Sequence, residues 1–264
     1  MTASDTQDWE EFRRRRDAGL AAPHSVLAQV GLHWVEEGAG ELSFPGVPGT
    51  WALEGGRLVS RSAPSDYTVL AEPAQAQVIE VGGERTLTLL DPGDVQLGVT
   101  DAGVRIDVIR RGDRTGLRPL DPATPRRAGF TGVPVFPHDP SAVLEGSFRA
   151  DPTTVTVGSA LPWLTQQLPS PGVVALDVDG EQVELRVTGE GTLILTDETS
   201  GTETSDWRQV PVEIDGERAR VDLNRALNFP SAFSAFGTCP KPPEGNHLPI
   251  PVRAGERRVE PTER

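Results

Sequence analysis

The chain has 264 residues and a formal net charge of −14. That length suits one large β domain or two lobes of about 100 to 150 residues each. The charge opposes long-range attraction to nucleic acid or an anionic membrane, and no apolar run approaches the roughly eighteen residues of a span, so neither partner is expected. Glycine and proline are frequent, 28 and 24 residues, which suits many turns and few long helices. A single cysteine allows no internal disulfide, and "MTASDTQDWEEFRRRRDAG" lacks the apolar segment of a secretory signal. A reducing cytoplasm is the expected location.

The beginning of the chain reads as helix. Ser4 and Asp5 offer caps, and Trp9, Phe12 and Arg16 recur at helical spacing. The run Arg13 to Arg16 resembles a nucleic-acid patch, but as a last helical turn it complements the macrodipole, and the acidic balance favours that reading. A second short helix is expected over "HSVLAQV", stopping at Gly31.

From there the pattern is β. "WALEGGRLVS" predicts a hairpin around Gly55-Gly56. "QAQVIEV", "RTLTLL", "VQLGV" and "VRIDVIRRGDRTGLRPL" follow, each bounded by Gly, Asp or Pro, with Val104, Ile106 and Val108 on one face. A proline-rich stretch from Leu120 to Pro140 breaks the alternation and connects two lobes. The second lobe holds "AVLEGSFRA", "TTVTVGS", "GVVALDVDGEQVELRVTGEGTLILTDE" and "RQVPVEIDGERARVDL", with hairpin turns at Asp179-Gly180 and Asp215-Gly216. Strands at this spacing without helical patterns between them predict a mainly β protein, antiparallel and sandwich- or barrel-like. The expected organisation is a helical segment over 1–35, a first β lobe over 36–122, a connection over 123–140, a second lobe over 141–258 and a tail over 259–264.

Most motifs that carry chemistry are missing. There is no phosphate loop, no G-x-G-x-x-G after a strand, no H-E-x-x-H and no G-x-S-x-G. His24, His33, His138 and His247 lie in four segments, so no metal ligand set is expected, and no cofactor. His33 lies between Leu32 and Trp34 in "GLHWVEEG", where a histidine bonded to backbone is the plainer reading and an acid–base role the sharper one. Cys239 has neither a visible base nor a cause for a lowered pKa, so it reads as buried structure.

The candidate site is "VDLNRALNFPSAFSAFGTCPKPPEGNHLPIP". Asp222, Asn224 and Arg225 stand at a strand end, and Arg225 carries a fork of donors suited to carboxylate or phosphate. An irregular segment cannot satisfy its own backbone, so these side chains serve equally well as its hydrogen-bonding scaffold. A second polar cluster, "LTDETSGTETSDWR", ends another strand at Asp197. If the two strands are neighbours, Asp197 and Arg208 approach Arg225. An Asp197–arginine pair is then structural, and an extra arginine is the ligand hook. Thr199, Arg208, Asn224, Arg225, Asn228 and Asn246 form the expected ligand-binding set. His33, Asp197 and Asp222 are the candidate acid–base residues.

These motifs resemble those of the domain of unknown function 1684 family of bacteria and archaea. "VDLNRALNFPSAFSAFGTCPKPPEGNHLPIPVRAGER" is similar to its C-terminal signature, "DETSGTET" to its Asp-x-Thr-Ser-Gly motif, "GLHWVEEG" to its N-terminal Gly-Leu-x-Trp motif, and "VIRRGDRTGLRPLD" to its arginine-rich hairpin. Leu227 and Ser205 stand where the family has tyrosine, Ser231 where it has cysteine, and His247 where it has arginine. Cysteine pairing between positions 231 and 239 is therefore impossible here. A fainter likeness joins "LLDPGDVQLGVTDAGVRIDVI" to the closing strands of a forkhead-associated β-sandwich, but "SRSAPSDY" does not match that fold's phosphothreonine-reading residues. Three function classes stand open: binding of a small anionic or sugar-like ligand, a hydrolase using Asp and His, and a β module that presents an edge or loop to a protein partner.

Overall fold

The computed structural model describes residues 3–91 and 93–259. The polar tail read at 259–264 lies outside these apart from Val259. By backbone contacts the chain forms two compact units, one from residues 20–130 and one from residues 1–19 together with 131–264.

Helix α1 (Ala3–Ala21) opens the chain. Ser4 and Asp5 stand within it, and their side chains lie outside the described part. The helix runs one and a half turns past Arg16, so the arginine run is mid-helix rather than a last turn. Arg14 and Arg15 pair with Glu11 on the exposed side, whereas Arg13 is only 8% exposed and points inward. The expected second helix shrinks to one 3₁₀ turn, Val26–Ala28, capped by Ser25. It ends early because Gln29 and Val30 join the end of a strand at Leu120 and Pro119.

In residues 20–130 the strands are β1 (His33–Val35), β2 (Leu42–Phe44), β3 (Val47–Glu54), β4 (Arg57–Ser62), β5 (Thr68–Val69), β6 (Ala76–Val81), β7 (Glu84–Leu89), β8 (Val95–Val99), β9 (Arg105–Arg111) and β10 (Arg114–Leu120). They form two five-stranded sheets, ordered β1-β10-β9-β8-β5 and β2-β3-β4-β7-β6. Inward side chains of both sheets, among them Trp51, Leu58, Tyr67, Leu87, Leu97, Ile106 and Leu117, make one core. Alternation along each strand supplies this core, as in any two-layer sandwich. The Gly55-Gly56 turn joins Glu54 to its partner Arg57 as expected, and Gly82-Gly83 does the same for Val81 and Glu84. All four glycines take positive φ, the requirement of a two-residue turn that follows the twist of its strands. The proline-rich stretch is partly ordered: helix α2 (Pro125–Ala128) is capped by Thr124, whose hydroxyl also donates to the Leu27 carbonyl.

The other unit holds β11 (Val143–Gly158), β12 (Thr165–Val178), β13 (Glu181–Arg186), β14 (Thr192–Asp197), β15 (Arg208–Asp215), β16 (Arg218–Asp222), β17 (Leu227–Asn228) and β18 (His247–Leu248). The sheet order is β13-β12-β11-β16-β15-β14-β18, with β17 on β15, and it is antiparallel except for the β14–β18 pair. "AVLEGSFRA" and "TTVTVGS" are one strand rather than two. Pro152, which has no N–H to give, falls in an irregularity between Ala150 and Thr153 that keeps the ladder continuous on both sides. The Asp179-Gly180 turn is as expected, and Asp179 is the one non-glycine with positive φ among the described residues. At the other predicted turn Asp215 pairs with Arg218, so the turn residues are Gly216 and Glu217. The core gathers Val174, Leu176, Leu185, Leu193, Leu195, Val210, Val221, Leu223 and Leu248. No described helix is long and apolar enough to cross a membrane.

Candidate functional site

The two polar stretches singled out in the sequence do meet, and they meet inside the fold. Asp197 ends β14 and turns back over its own loop. Its Oδ1 accepts from the Thr199 amide at 2.8 Å, from the Thr199 hydroxyl and from the Val252 amide at 3.2 Å. Oδ2 accepts from Arg208 Nη2 at 2.9 Å. Arg208, on β15, also donates to the carbonyls of Val252 (3.0 Å), Ala254 (2.6 Å) and Glu256 (3.1 Å). One guanidinium thus supplies donors to three carbonyls of a C-terminal segment whose only β pairing is the single bridge from Glu256 to Val135 among the described residues. Burial lowers the Arg208 pKa, and the charges of Asp197 and Glu256 oppose that shift.

A second charged knot lies one step along the same segment. Glu256 is fully buried. Its Oε1 accepts from Arg13 Nη1 at 2.8 Å and Arg16 Nε at 3.0 Å, and its Oε2 from the Asn228 amide at 2.7 Å. Arg16 also donates to the Asn228 carbonyl at 2.8 Å, and Asn228 Nδ2 donates to the Arg257 carbonyl at 2.8 Å. Gly255 makes the approach possible. It has φ of +74°, and a Cβ there would come within 2.6 Å of the Ala226 carbonyl oxygen. Arg13, Arg16 and Glu256 were not among the expected site residues. The signal available was the helical spacing of Arg13 and Arg16 beside Trp9 and Phe12, which puts both on the buried stripe.

The asparagines hold backbone as well. Asn246 donates to the carbonyls of Arg186 and Ile194 and accepts from the Arg186 amide, tying β13 to β14. Asn224 exchanges hydrogen bonds with both backbone groups of Asp139, and its own carbonyl accepts from Trp9 Nε1 at 3.1 Å. Thr199, Arg208, Asn224, Asn228 and Asn246 are each at most 3% exposed. In this structure they face protein rather than solvent.

Arg225 differs. It sits in a 3₁₀ turn, Leu223–Arg225, that Asp222 caps by accepting from the Asn224 amide. The guanidinium donates through Nε to Asp222 Oδ2 at 3.3 Å and lies 5.0 Å from the Phe12 ring centroid. Its side chain is 27% exposed, and among the described residues its two terminal amino groups have no hydrogen-bond partner. Close by, Trp9 meets His138 edge-on at 5.4 Å. The structure therefore gathers Arg225, Asp222, Phe12, Trp9 and His138 along one side of α1.

The remaining candidates are divided between the two units. His33 belongs to the unit of residues 20–130, whereas Asp197 and Asp222 belong to the other. His33 is hydrogen-bonded to the Pro45 carbonyl at 3.1 Å and stacked on Phe44. Cys239 is buried in a small cluster with Ile194 and Phe229. His24 bonds the Gly103 carbonyl, and His247 lies between Thr196 and Glu198. Among the described residues no three His, Cys, Asp or Glu side chains converge as a metal-ligand group.

Residues 128–257 match the family model described as protein of unknown function (DUF1684). No curated protein matches the chain. Among solved structures, the solution NMR structure of an uncharacterized protein from Haloarcula marismortui is similar, at 25% identity and a TM-score of 0.42, over 52% of this chain and 82% of that one. The stretch matched by the family model begins at the end of α2 and closes just beyond Glu256, taking in Asp197, Arg208 and Glu256 of the two charged knots and most of α1's partners in this unit, and by it residues 128–257 belong to the DUF1684 family.

Proposed function

We propose that the unit of residues 1–19 and 131–264 binds a small anionic or sugar-like ligand at the surface around Arg225. One observation carries the reading. Of the six residues expected to bind ligand, Arg225 alone combines partial exposure with terminal amino groups that no described residue engages. Those two groups form a fork that fits a carboxylate or phosphate with two parallel hydrogen bonds. The Phe12 ring, with its centroid 5.0 Å from the guanidinium carbon, lies within cation–π range and helps to hold the side chain in place. Asp222 Oδ2 beside it accepts only from Arg225 Nε among the described residues and has lone-pair capacity left for a hydroxyl, so an acid that also carries hydroxyls suits the set.

The acid–base reading has no comparable support, because Asp197 is enclosed by Arg208, Thr199 and the Val252 amide. A reducing, cytoplasmic setting belongs to the same proposal and rests on the single cysteine.

The test is a thermal-shift screen against sugar acids, sugar phosphates, nucleotides and simple carboxylates. A ligand at a hundredfold its Kd adds about 2.7 kcal/mol, several degrees for a unit this size. The shift is expected to vanish in Arg225→Ala and to survive, reduced, in Arg225→Lys, which keeps the charge but loses the fork. A ligand whose shift is equal in wild type and Arg225→Ala places binding elsewhere. Silence across the whole panel removes the proposal.

A further inference from the structure

The edges of the sheets are not alike. An unpaired strand edge is a template for further pairing, and proteins blunt such edges by making them short or charged. Here β1, β2, β5 and β18 are two or three residues long, and β13, "EQVELR", carries a charge at three of its six positions. Strand β6, "AQVIEV", follows neither rule. It is six residues long and pairs only with β7. It leaves Val78, Ile79 and Val81 exposed at 43%, 51% and 73%.

The hydrogen-bonding pattern of this edge follows from its turn. Val81 and Glu84 flank the two-residue Gly82-Gly83 turn, so they form a hydrogen-bonded pair. Pairs then alternate, which directs the backbone groups of Ile79 and Gln77 toward β7. The bond from the Leu90 amide to the Gln75 carbonyl continues that series. Val78 and Glu80 therefore turn their N–H and C=O groups outward, while Ile79 and Val81 stand on the sheet face opposite the core residue Ala76.

We propose that this edge pairs with β6 of a second copy, antiparallel about a two-fold axis at Ile79. Three registers need comparison. Centring on Val78 places Glu80 opposite Ala76, whose amide is already bonded to the Glu72 carbonyl. Centring on Glu80 sets two carboxylates face to face, which is repulsive. Centring on Ile79 pairs Val78 with Glu80 of the second copy and the reverse, which makes four backbone hydrogen bonds with no like charges opposed. Ile79 then meets its own counterpart in the closer, non-hydrogen-bonded position, with Val81 on the diagonal. The contact is self-complementary and closed, as a two-fold interface must be.

Strand pairing alone buries little area, so the dimer is weak, and the net charge of −14 on each copy opposes it. Sedimentation velocity across roughly 10 to 500 μM spans the range in which so small an interface dissociates. The weight-average mass is expected to rise toward a dimer, more so as salt goes from about 0.1 to about 0.5 M and screens the repulsion. Val78→Pro removes an amide that points away from β7, so the hairpin keeps its bonds. It deletes two of the four intermolecular hydrogen bonds, and association is expected to fall roughly tenfold to a hundredfold. Ile79→Lys, on an exposed face, puts two positive charges at the axis and tests the same contact should the proline variant fold poorly. A wild type that stays monomeric throughout, one that grows past a dimer, or variants that dimerise as well as wild type would each overturn the proposal.

Discussion

Glu256→Ala is expected to lower the melting temperature by roughly 6 to 20 °C. The carboxylate is fully buried and is shared by Arg13, Arg16 and the Asn228 amide. Removing it leaves a buried guanidinium, a half-buried one and a backbone N–H without their acceptor, together with a void. Breaking a buried ion pair from one side costs about 3 to 5 kcal/mol, because the stranded charge has been desolvated without compensation. A unit of this size loses about 2 to 4 °C per kcal/mol. Glu256→Gln keeps the volume and one acceptor but turns an amide N–H₂ toward the arginines, so it is expected to fall between wild type and alanine. Arg14→Ala is the control. Its partner Glu11 and its own side chain are largely exposed, and such pairs contribute at most about 1 kcal/mol. Calorimetric or circular-dichroism melts of the three variants check the prediction. A loss under about 1 kcal/mol in Glu256→Ala would mean that the cost of burying this carboxylate nearly cancels its attraction.

The second large effect is expected at Asp197 and Arg208. Burial already disfavours the charged form of Arg208, and Asp197 is the nearest compensation. Asp197→Asn is expected to cost about 3 to 5 kcal/mol, since an N–H₂ faces the guanidinium where an anion stood. Arg208→Met is expected to be similarly damaging for a different reason, because it strands the carboxylate and three carbonyls of residues 252 to 256 at once. The double variant should then lose clearly less than the two singles added, by about 1 to 3 kcal/mol, the range for residues in one network. Strict additivity in urea-unfolding experiments would show that the two side chains act independently.

Much of the architecture could be read from the chain, for local reasons. The helix at Trp9 and Phe12, the glycine turns at 55–56 and the turn at 179–180 each depend on a few neighbouring residues. Alternation then assigns the faces of the strands between them. The misreadings arose where distant partners decide. Gln29 and Val30 end the second helix by joining Leu120 and Pro119, and Pro152 is tolerated inside one long strand because an irregularity absorbs it.

The site shows the same limit. The polar residues of "DETSGTET" and "DLNRALN" were identifiable as a cluster, but whether each faces ligand or backbone depends on the path of residues 252 to 256. Nothing in "RAGER" marks Glu256 as fully buried, since its partners come from α1 and β17. Only Arg225, held at the rim by Asp222 and Phe12, kept the open donors that its residue type suggested.

The bond from Arg13 to Glu256 joins residues 243 positions apart. During synthesis, at about 5 to 20 residues per second, the two partners are separated by a wait of roughly 10 to 50 s. Residues 20–130 form a continuous unit and emerge complete well before that. Helix α1 must meanwhile carry Trp9, Phe12 and Arg13 without the surface that buries them, and most of a helix's stability comes from such packing. The nascent chain thus has one unit free to fold early and another that stays open until Glu256 arrives. Aggregation during expression is accordingly expected to depend on that interval, and slower elongation over the codons for residues 131–256 should increase the insoluble fraction.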